Sequence, residues 1–290
     1  MSSKRPEILL NLSVPQLAAQ AAVLPAAGVG LMRAEFLALT VGKHPLALLE
    51  DEGEEAFLEV FRDGLATVAR AFHPRPLTYR ALDHKSNEYR ELEGGDRFEP
   101  VEANPMIGRR GAYRYTTRPE EFAFELRAIR EVIASGLDNI HLMIPFVRTV
   151  SELRAVKTQV AQAGLLELPG FELWAMAEVP AVAFLPELFA AEVDGFSIGS
   201  NDLAQLVLGI DRDSGELSER YPANDDAVLE AIGRIVEGAH AAGIPACICG
   251  DAPSQDAKLI ARLIELGIDQ ISVVPPAFAQ TVAAVDAVLA

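Results

Sequence analysis

Two apolar runs of β type end in acids. Leu173-Trp174-Ala175-Met176-Ala177 leads into Glu178-Val179-Pro180, and Gly195-Phe196-Ser197-Ile198-Gly199 turns through Ser200-Asn201 into Asp202. Carboxylates are seldom buried unless they are paired or bound to a metal. Two of them at strand ends, joined by substrate oxygens, would make the oxygen shell that Mg²⁺ prefers. The plainer alternative is helix capping, for Asp202 before Leu203-Ala204-Gln205 in particular. That alternative weakens because both strand ends carry the same feature.

The arginines follow the same geography. Arg33 closes the run Gly30-Leu31-Met32, Arg80 closes Leu77-Thr78-Tyr79, and Arg109-Arg110 lie in a polar, Gly/Arg-rich stretch. Guanidinium forks suit carboxylate and phosphate, so Arg33 and Arg80 at strand ends are candidates for holding an anionic substrate. Surface ion pairing is the competing use of each arginine. Cys249 ends Ala246-Cys247-Ile248 and precedes Gly250-Asp251. It reads either as a buried small hydrophobe, as Cys247 does, or as a proton donor or acceptor beside the metal and arginines. Neither thiol has the soft partners a zinc site needs, and their close spacing is poor for a structural disulfide. His44, His73, His84, His141 and His240 show no metal-ligand spacing and are expected to be structural or solvent-facing, with His84 beside the polar Lys85–Tyr89 stretch.

The elements that must place these residues alternate between short β runs and longer amphipathic stretches, the rhythm of parallel βα units. Strands are expected at 7–12, 28–33, 77–82, 140–145, 172–178, 195–199, 244–249 and 270–274. Helices are expected at 54–72, 119–133, 150–163, 225–242 and 256–265. Eight such units predict a closed (β/α)8 TIM barrel within α/β architecture. An open doubly wound sheet is the runner-up, although Gly28-Val29-Gly30 does not extend to GxGxxG. Two long connections, 40–76 and 83–120, are expected over the mouth.

The 290 residues are half hydrophobic and carry a net charge of −17. That charge repels phosphate backbones and anionic lipid, so neither nucleic acid nor a membrane surface is an expected partner. No signal-peptide core or long apolar run is evident, and a cytoplasmic location is expected.

Taken in order, GVGLMRAEF (28–36), HKSNEY (84–89), NPMIGRRGA (104–112), MIPFVRTV (143–150), AEVP (177–180), DGFSIGSNDLAQLVLGIDRDSG (194–215) and ICGDAPS (248–254) resemble the C-terminal phosphoenolpyruvate/pyruvate-binding barrel of the PEP-utilising enzymes. HKSNEY and NPMIGRRGA favour the synthase (pyruvate, water dikinase) branch. The resemblance implies residues 1–290 as one such barrel, without the family's ATP-binding and phosphohistidine domains. It implies Glu178 and Asp202 as Mg²⁺ ligands, and Arg33, Arg80 and Arg110 on the phosphate and carboxylate of phosphoenolpyruvate, with Asn201 and Arg212 completing the anion site. Cys249 would move the proton at the methyl carbon of pyruvate. Catalytic weight then rests on Cys249, Arg33 and Arg80. It also implies a homodimer and a partner domain carrying the phosphohistidine. Asp251 stands where many relatives have Gln, and Val274-Pro275-Pro276 replaces an Asn-Pro-Asp pattern. A Mg²⁺-dependent pyruvate aldolase of the citrate-lyase type and a non-catalytic phosphoenolpyruvate sensor are the alternatives.

Overall fold

The computed structural model describes residues 5–221 and 223–290. Eight parallel strands hydrogen-bond in chain order: β1 (Glu7–Leu12), β2 (Val29–Arg33), β3 (Leu77–Arg80), β4 (Ile140–Ile144), β5 (Leu173–Ala177), β6 (Gly195–Gly199), β7 (Ala246–Cys249) and β8 (Gln270–Val273). β8 pairs back onto β1, with Glu7 opposite Gln270 and Leu10 opposite Val273, so the sheet closes into the expected barrel. Strands 2, 3, 4, 5, 7 and 8 are shorter than the runs expected for them. Pro245 at the entry to β7 has no N–H to give a ladder, and the residues beyond Arg80 and Ala177 leave the sheet to form the mouth.

Period-two alternation decides what points inward. Leu9, Leu31, Met143, Trp174, Met176, Cys247 and Cys249 form one apolar cluster, separate from the larger core between strands and helices. Glu178 lies two residues beyond Met176, as Arg33 does beyond Leu31. The same alternation that fills the interior therefore delivers these charges to its upper rim. Both cysteines are buried free thiols.

The outer helices bury stripes at helical spacing. In α3 (Glu54–Phe72), which follows α1 (Glu35–Val41) and α2 (Pro45–Glu52), Phe57, Phe61, Leu65, Val68 and Phe72 are all buried. Each such side chain contributes roughly 1.5–3 kcal/mol on leaving water. Next come α4 (Pro119–Ala134), α5 (Val150–Gln162), α6 (Ser200–Leu208), α7 (Asp226–Ala241), α8 (Ala257–Glu265) and α9 (Phe278–Leu289). The 40–76 connection is mostly α2 and α3, and it braces the second excursion rather than covering the mouth: His44 N–H donates to Glu93 O, and Glu93 N–H to Gly42 O.

Behind β3, the carboxyl of Glu125 on α4 accepts from Tyr79 Oη at 2.7 Å and from Leu82 N–H at 3.1 Å. Burial, helped by the nearby Glu35 and Glu121, pushes Glu125 up to about 8 despite these hydrogen bonds. Unfolded, it would titrate at about 4.3. The folded chain thus holds the extra proton between these limits, and the associated stability is complete below the lower one and lost as pH rises through the upper. Glu125→Gln keeps the accepting oxygen and the neutral form. Its Tm relative to wild type is expected to climb from pH 5 to pH 8.5 by several degrees, at roughly 2–4 °C per kcal/mol. Calorimetry at the two pH values checks this, and a constant difference would refute the assignment.

Candidate active site at the barrel mouth

Arg33, Arg80, Arg110, Glu178, Asn201, Asp202, Arg212 and Cys249 all line one cavity of about 850 Å³ at the carboxyl ends of the strands. The sequence separates the first and last by more than two hundred residues; barrel closure brings them together.

Glu178 and Asp202 are both buried. Asp202 does not close a strand, as its run suggested, but sits in the first turn of α6. Nor does it cap that helix: the cap residue is Gly199, without a side-chain hydrogen bond. Glu178 accepts from Phe146 N–H at 2.8 Å. Phe146 has φ 47°, a left-handed conformation unusual for a residue with a large side chain. Its ring lies under Arg110, 4.0 Å from the guanidinium carbon. Gly199 lets the acid cross the end of β6, because a Cβ there would lie 2.5 Å from Glu178 Oε2. Burial, then the charges of Asp202 and Asp83, push the Glu178 carboxyl up to about 8. Two buried hard oxygen donors whose charges repel each other fit a divalent cation of the Mg²⁺ or Mn²⁺ kind.

Around these acids the charges alternate in a chain. Glu35 pairs with Arg80 at 2.8 Å, Arg80 with Asp83 at 3.6 Å, Asp83 with Arg110 at 2.5 Å, Arg110 with Asp202 at 3.0 Å, and Asp202 with Arg212 at 2.8 Å. Asp83 takes Arg110 as a two-pronged fork, with the second contact at 2.9 Å. Against the burial that would raise it, Arg110 holds the Asp83 carboxyl well below the usual carboxylate range. Glu102 and Arg148 fix the loop that carries Arg110: Glu102 accepts from Arg109 N–H at 3.0 Å, and Arg148 donates to the carbonyls of Gly108 and Arg110 at 2.6 and 3.2 Å. Arg109, its neighbour, does not line the cavity.

Three predicted residues differ in how far their groups are spent. The Arg33 side chain has no hydrogen-bond or ion-pair partner among the described residues. Asn201 donates its amide to Asp251 Oδ2 at 2.7 Å, so Asp251 is what holds it. Cys249 is buried at the end of β7, with Ser197 Oγ donating to its Sγ at 3.5 Å. Burial pushes its thiol above the ordinary range, against Ser197, Arg33 and Arg80, which pull it down. The resting group is the neutral thiol.

Sequence reading missed Glu35 and Asp83. Each follows a strand-end arginine by two or three residues, and that spacing is the signal that was available. A second cluster also escaped it. His44, His84 and Glu99 are buried with potential ligand atoms within 4.8 Å of one another. His44 Nδ1 accepts from Leu46 N–H at 3.1 Å, so the ring proton is on Nε2, which donates to Glu99 at 2.9 Å. Glu99 also takes Arg114, and these hydrogen bonds bring its carboxyl down to about 2 although burial opposes them. The His44 lone pair and the Glu99 oxygens are engaged within the protein, while both ring nitrogens of the buried His84 lack a hydrogen-bond partner; the cluster anchors the second excursion onto α2.

Residues 1–289 match the family described as PEP-utilising enzyme, PEP-binding domain. The chain is 47% identical to the probable phosphoenolpyruvate synthase of Staphylothermus marinus over 281 residues, 95% of this chain and 34% of that protein. It is 40% identical to the phosphoenolpyruvate synthase of Escherichia coli over 299 residues, covering 95% of this chain and 38% of that one. The chain thus spans little more than a third of the length of these relatives. Among solved structures, the malate synthase of Haloferax volcanii superposes with a TM-score of 0.55 at 14% identity, over 97% of this chain and 69% of that one. A HpcH/HpaI aldolase/citrate lyase family protein of Burkholderia cenocepacia gives 0.54, also at 14%, over 96% and 92%. At that identity the likeness is one of fold. By its family match, and by close relatives that are phosphoenolpyruvate synthases, the chain belongs to the PEP-utilising enzymes as a PEP-binding domain.

Proposed function

We propose that this barrel binds phosphoenolpyruvate and pyruvate. It would carry the enolate half of a pyruvate, water dikinase reaction, with the phosphohistidine and ATP-binding parts supplied by other domains or chains. One observation carries the reading: a buried thiol, two buried carboxylates and the unpartnered Arg33 converge on the cavity that also holds Arg80, Arg110 and Arg212. Mg²⁺ held by Glu178 and Asp202 would supply Lewis-acid polarisation of substrate oxygens. Arg33 and Arg80 bind the carboxylate and phosphate and orient the three-carbon unit with its C3 toward Cys249. Toward pyruvate, the Cys249 thiol gives its proton to the enolate methylene carbon; in the opposite direction the thiolate takes a proton from the methyl group. Arg110 and Arg212 stabilise the negative charge on the phosphoryl group as it passes between the enolate oxygen and the histidine of the partner.

The exposed Phe184, Leu185 and Leu188, at 73%, 50% and 51%, form an apolar surface that supports a homodimer. No helix among the described residues is long and apolar enough to cross a membrane.

The test supplies the phosphohistidine domain of a phosphoenolpyruvate synthase in trans with labelled phosphoenolpyruvate and Mg²⁺. Label is expected on the histidine only when barrel and metal are both present. Pyruvate released from a 4-hydroxy-2-oxo acid, with no label transferred, would move the assignment to the lyases.

A further inference from the structure

Arg80 is held from behind. Glu35 Oε1 accepts from Arg80 Nη2 at 2.8 Å and from the backbone N–H of Asp83 at 2.7 Å. One carboxylate oxygen therefore grips both the guanidinium and the main chain of the residue that forks Arg110. Glu35 is itself buried, at 8% exposure, in the first turn of α1. Two more atoms stand out. Glu35 Oε2 and Arg80 Nε are both buried and without a hydrogen-bond partner. Nε and Nη2 are the two donors on one flank of a guanidinium, the pair that meets a carboxylate side-on. The contact is thus half of a fork.

On the other flank, Arg80 Nη1 meets, among the described residues, only the Met176 thioether at 3.4 Å and Asp83 Oδ2 at 3.6 Å. Sulfur is a weak acceptor, and the second distance is too long for a hydrogen bond. Nη1 therefore has capacity left for an anion entering the mouth, while the Nε/Nη2 flank is reserved for Glu35.

We infer that Glu35 is a positioning residue of the anion site: it fixes the rear flank of Arg80 and the backbone at Asp83, leaving Arg80 Nη1 to face the substrate. The inference rests on the anion-binding reading of the mouth. It makes reach, rather than charge alone, the property that matters at position 35.

The test uses this chain with Mn²⁺ as the metal and oxalate as an enolate-shaped dianion. Oxalate affinity is measured by calorimetry at saturating Mn²⁺, and Mn²⁺ affinity alone by electron paramagnetic resonance. Amide exchange of residues 81–84 is followed without ligand. Glu35→Asp keeps the charge but withdraws it by one methylene, and is expected to weaken oxalate roughly ten- to a hundred-fold, the loss of a hydrogen bond to a charged group. Glu35→Gln keeps the reach and the acceptor oxygen, so it is expected to lose less than Glu35→Asp. Mn²⁺ binding should stay within about two-fold, and exchange at 81–84 should accelerate in Glu35→Asp. Wild-type affinity in Glu35→Asp, or a greater loss in Glu35→Gln, overturns the inference. If wild type itself binds no oxalate, the anion-site reading fails. Amide exchange then decides alone: unchanged exchange at 81–84 in Glu35→Asp overturns the positioning role, and faster exchange upholds it.

Discussion

Pyruvate incubated with this barrel and Mg²⁺ in D₂O is expected to lose its methyl proton signal, and Cys249→Ala to lose that activity by about 10²–10⁴-fold, the usual weight of a positioned proton-transfer group. Three observations set the size of the effect. The thiol is buried at the end of β7, it lines the cavity with Arg33 and Arg80, and among the described residues no other cysteine and no histidine lines that cavity, Cys247 lying deeper on the inner wall. Lys85 lies on the rim, paired with Glu88 at 2.9 Å. The pH dependence follows from the direction of the thiol's shift. Burial holds Cys249 protonated above the ordinary thiol range, and removing a methyl proton needs the thiolate. Exchange should therefore rise with pH across the neutral range, by about tenfold per unit while the thiol remains mostly protonated. A pH-independent rate, or full exchange in Cys249→Ala, would assign the proton transfer elsewhere.

Asp202→Asn is expected to reduce Mn²⁺ affinity by at least ~100-fold, more than the loss of a residue that merely supports a ligand. The shape of the side chain is kept, so the change isolates its charge. Asp202 presents one oxygen to Arg110 and the other to Arg212. Removing the charge leaves Arg212 without its anion and Arg110 with Asp83 alone, and metal-free binding of oxalate should hold or strengthen while metal binding collapses. This opposite movement of the two affinities separates a ligand from a structural residue, whose loss would weaken both. Titration of Mn²⁺ by electron paramagnetic resonance, with oxalate calorimetry in chelator, gives both numbers. Retained Mn²⁺ affinity in Asp202→Asn would remove this acid from the metal set.

Much of this was legible in the chain. The eight strands announce themselves as short apolar runs of alternating large and small residues, and Trp174 and Met176 sit inside the barrel because the period is two. Strand-end placement then puts Arg33, Arg80 and Cys249 at the mouth without further information. What spacing could not supply was who meets whom. Arg110 reaches Asp202 across 92 positions and Asp83 across 27, pairings decided by closure of the barrel and the path of the 83–120 excursion. The same limit hid the burial of His44 and His84: a histidine before a proline looks like a loop residue until Glu99, 55 positions later, is brought against it. Asp202 was placed at a strand end because a helix that starts at once on Ser200 leaves no polar turn to mark the boundary.

The alternating file from Glu35 to Arg212 behaves as one object rather than five bonds. Each inner member is shared by two neighbours, so neutralising an inner acid removes one counter-charge from two cations at once, and a second change beside it finds part of the damage already done. Thermodynamic cycles drawn between adjacent members should therefore show large coupling, while a cycle between Glu35 and Arg212, at opposite ends, reports how far a disturbance travels through the file. A catalogue of single substitutions in this mouth, summed as if independent, would count the same free energy more than once.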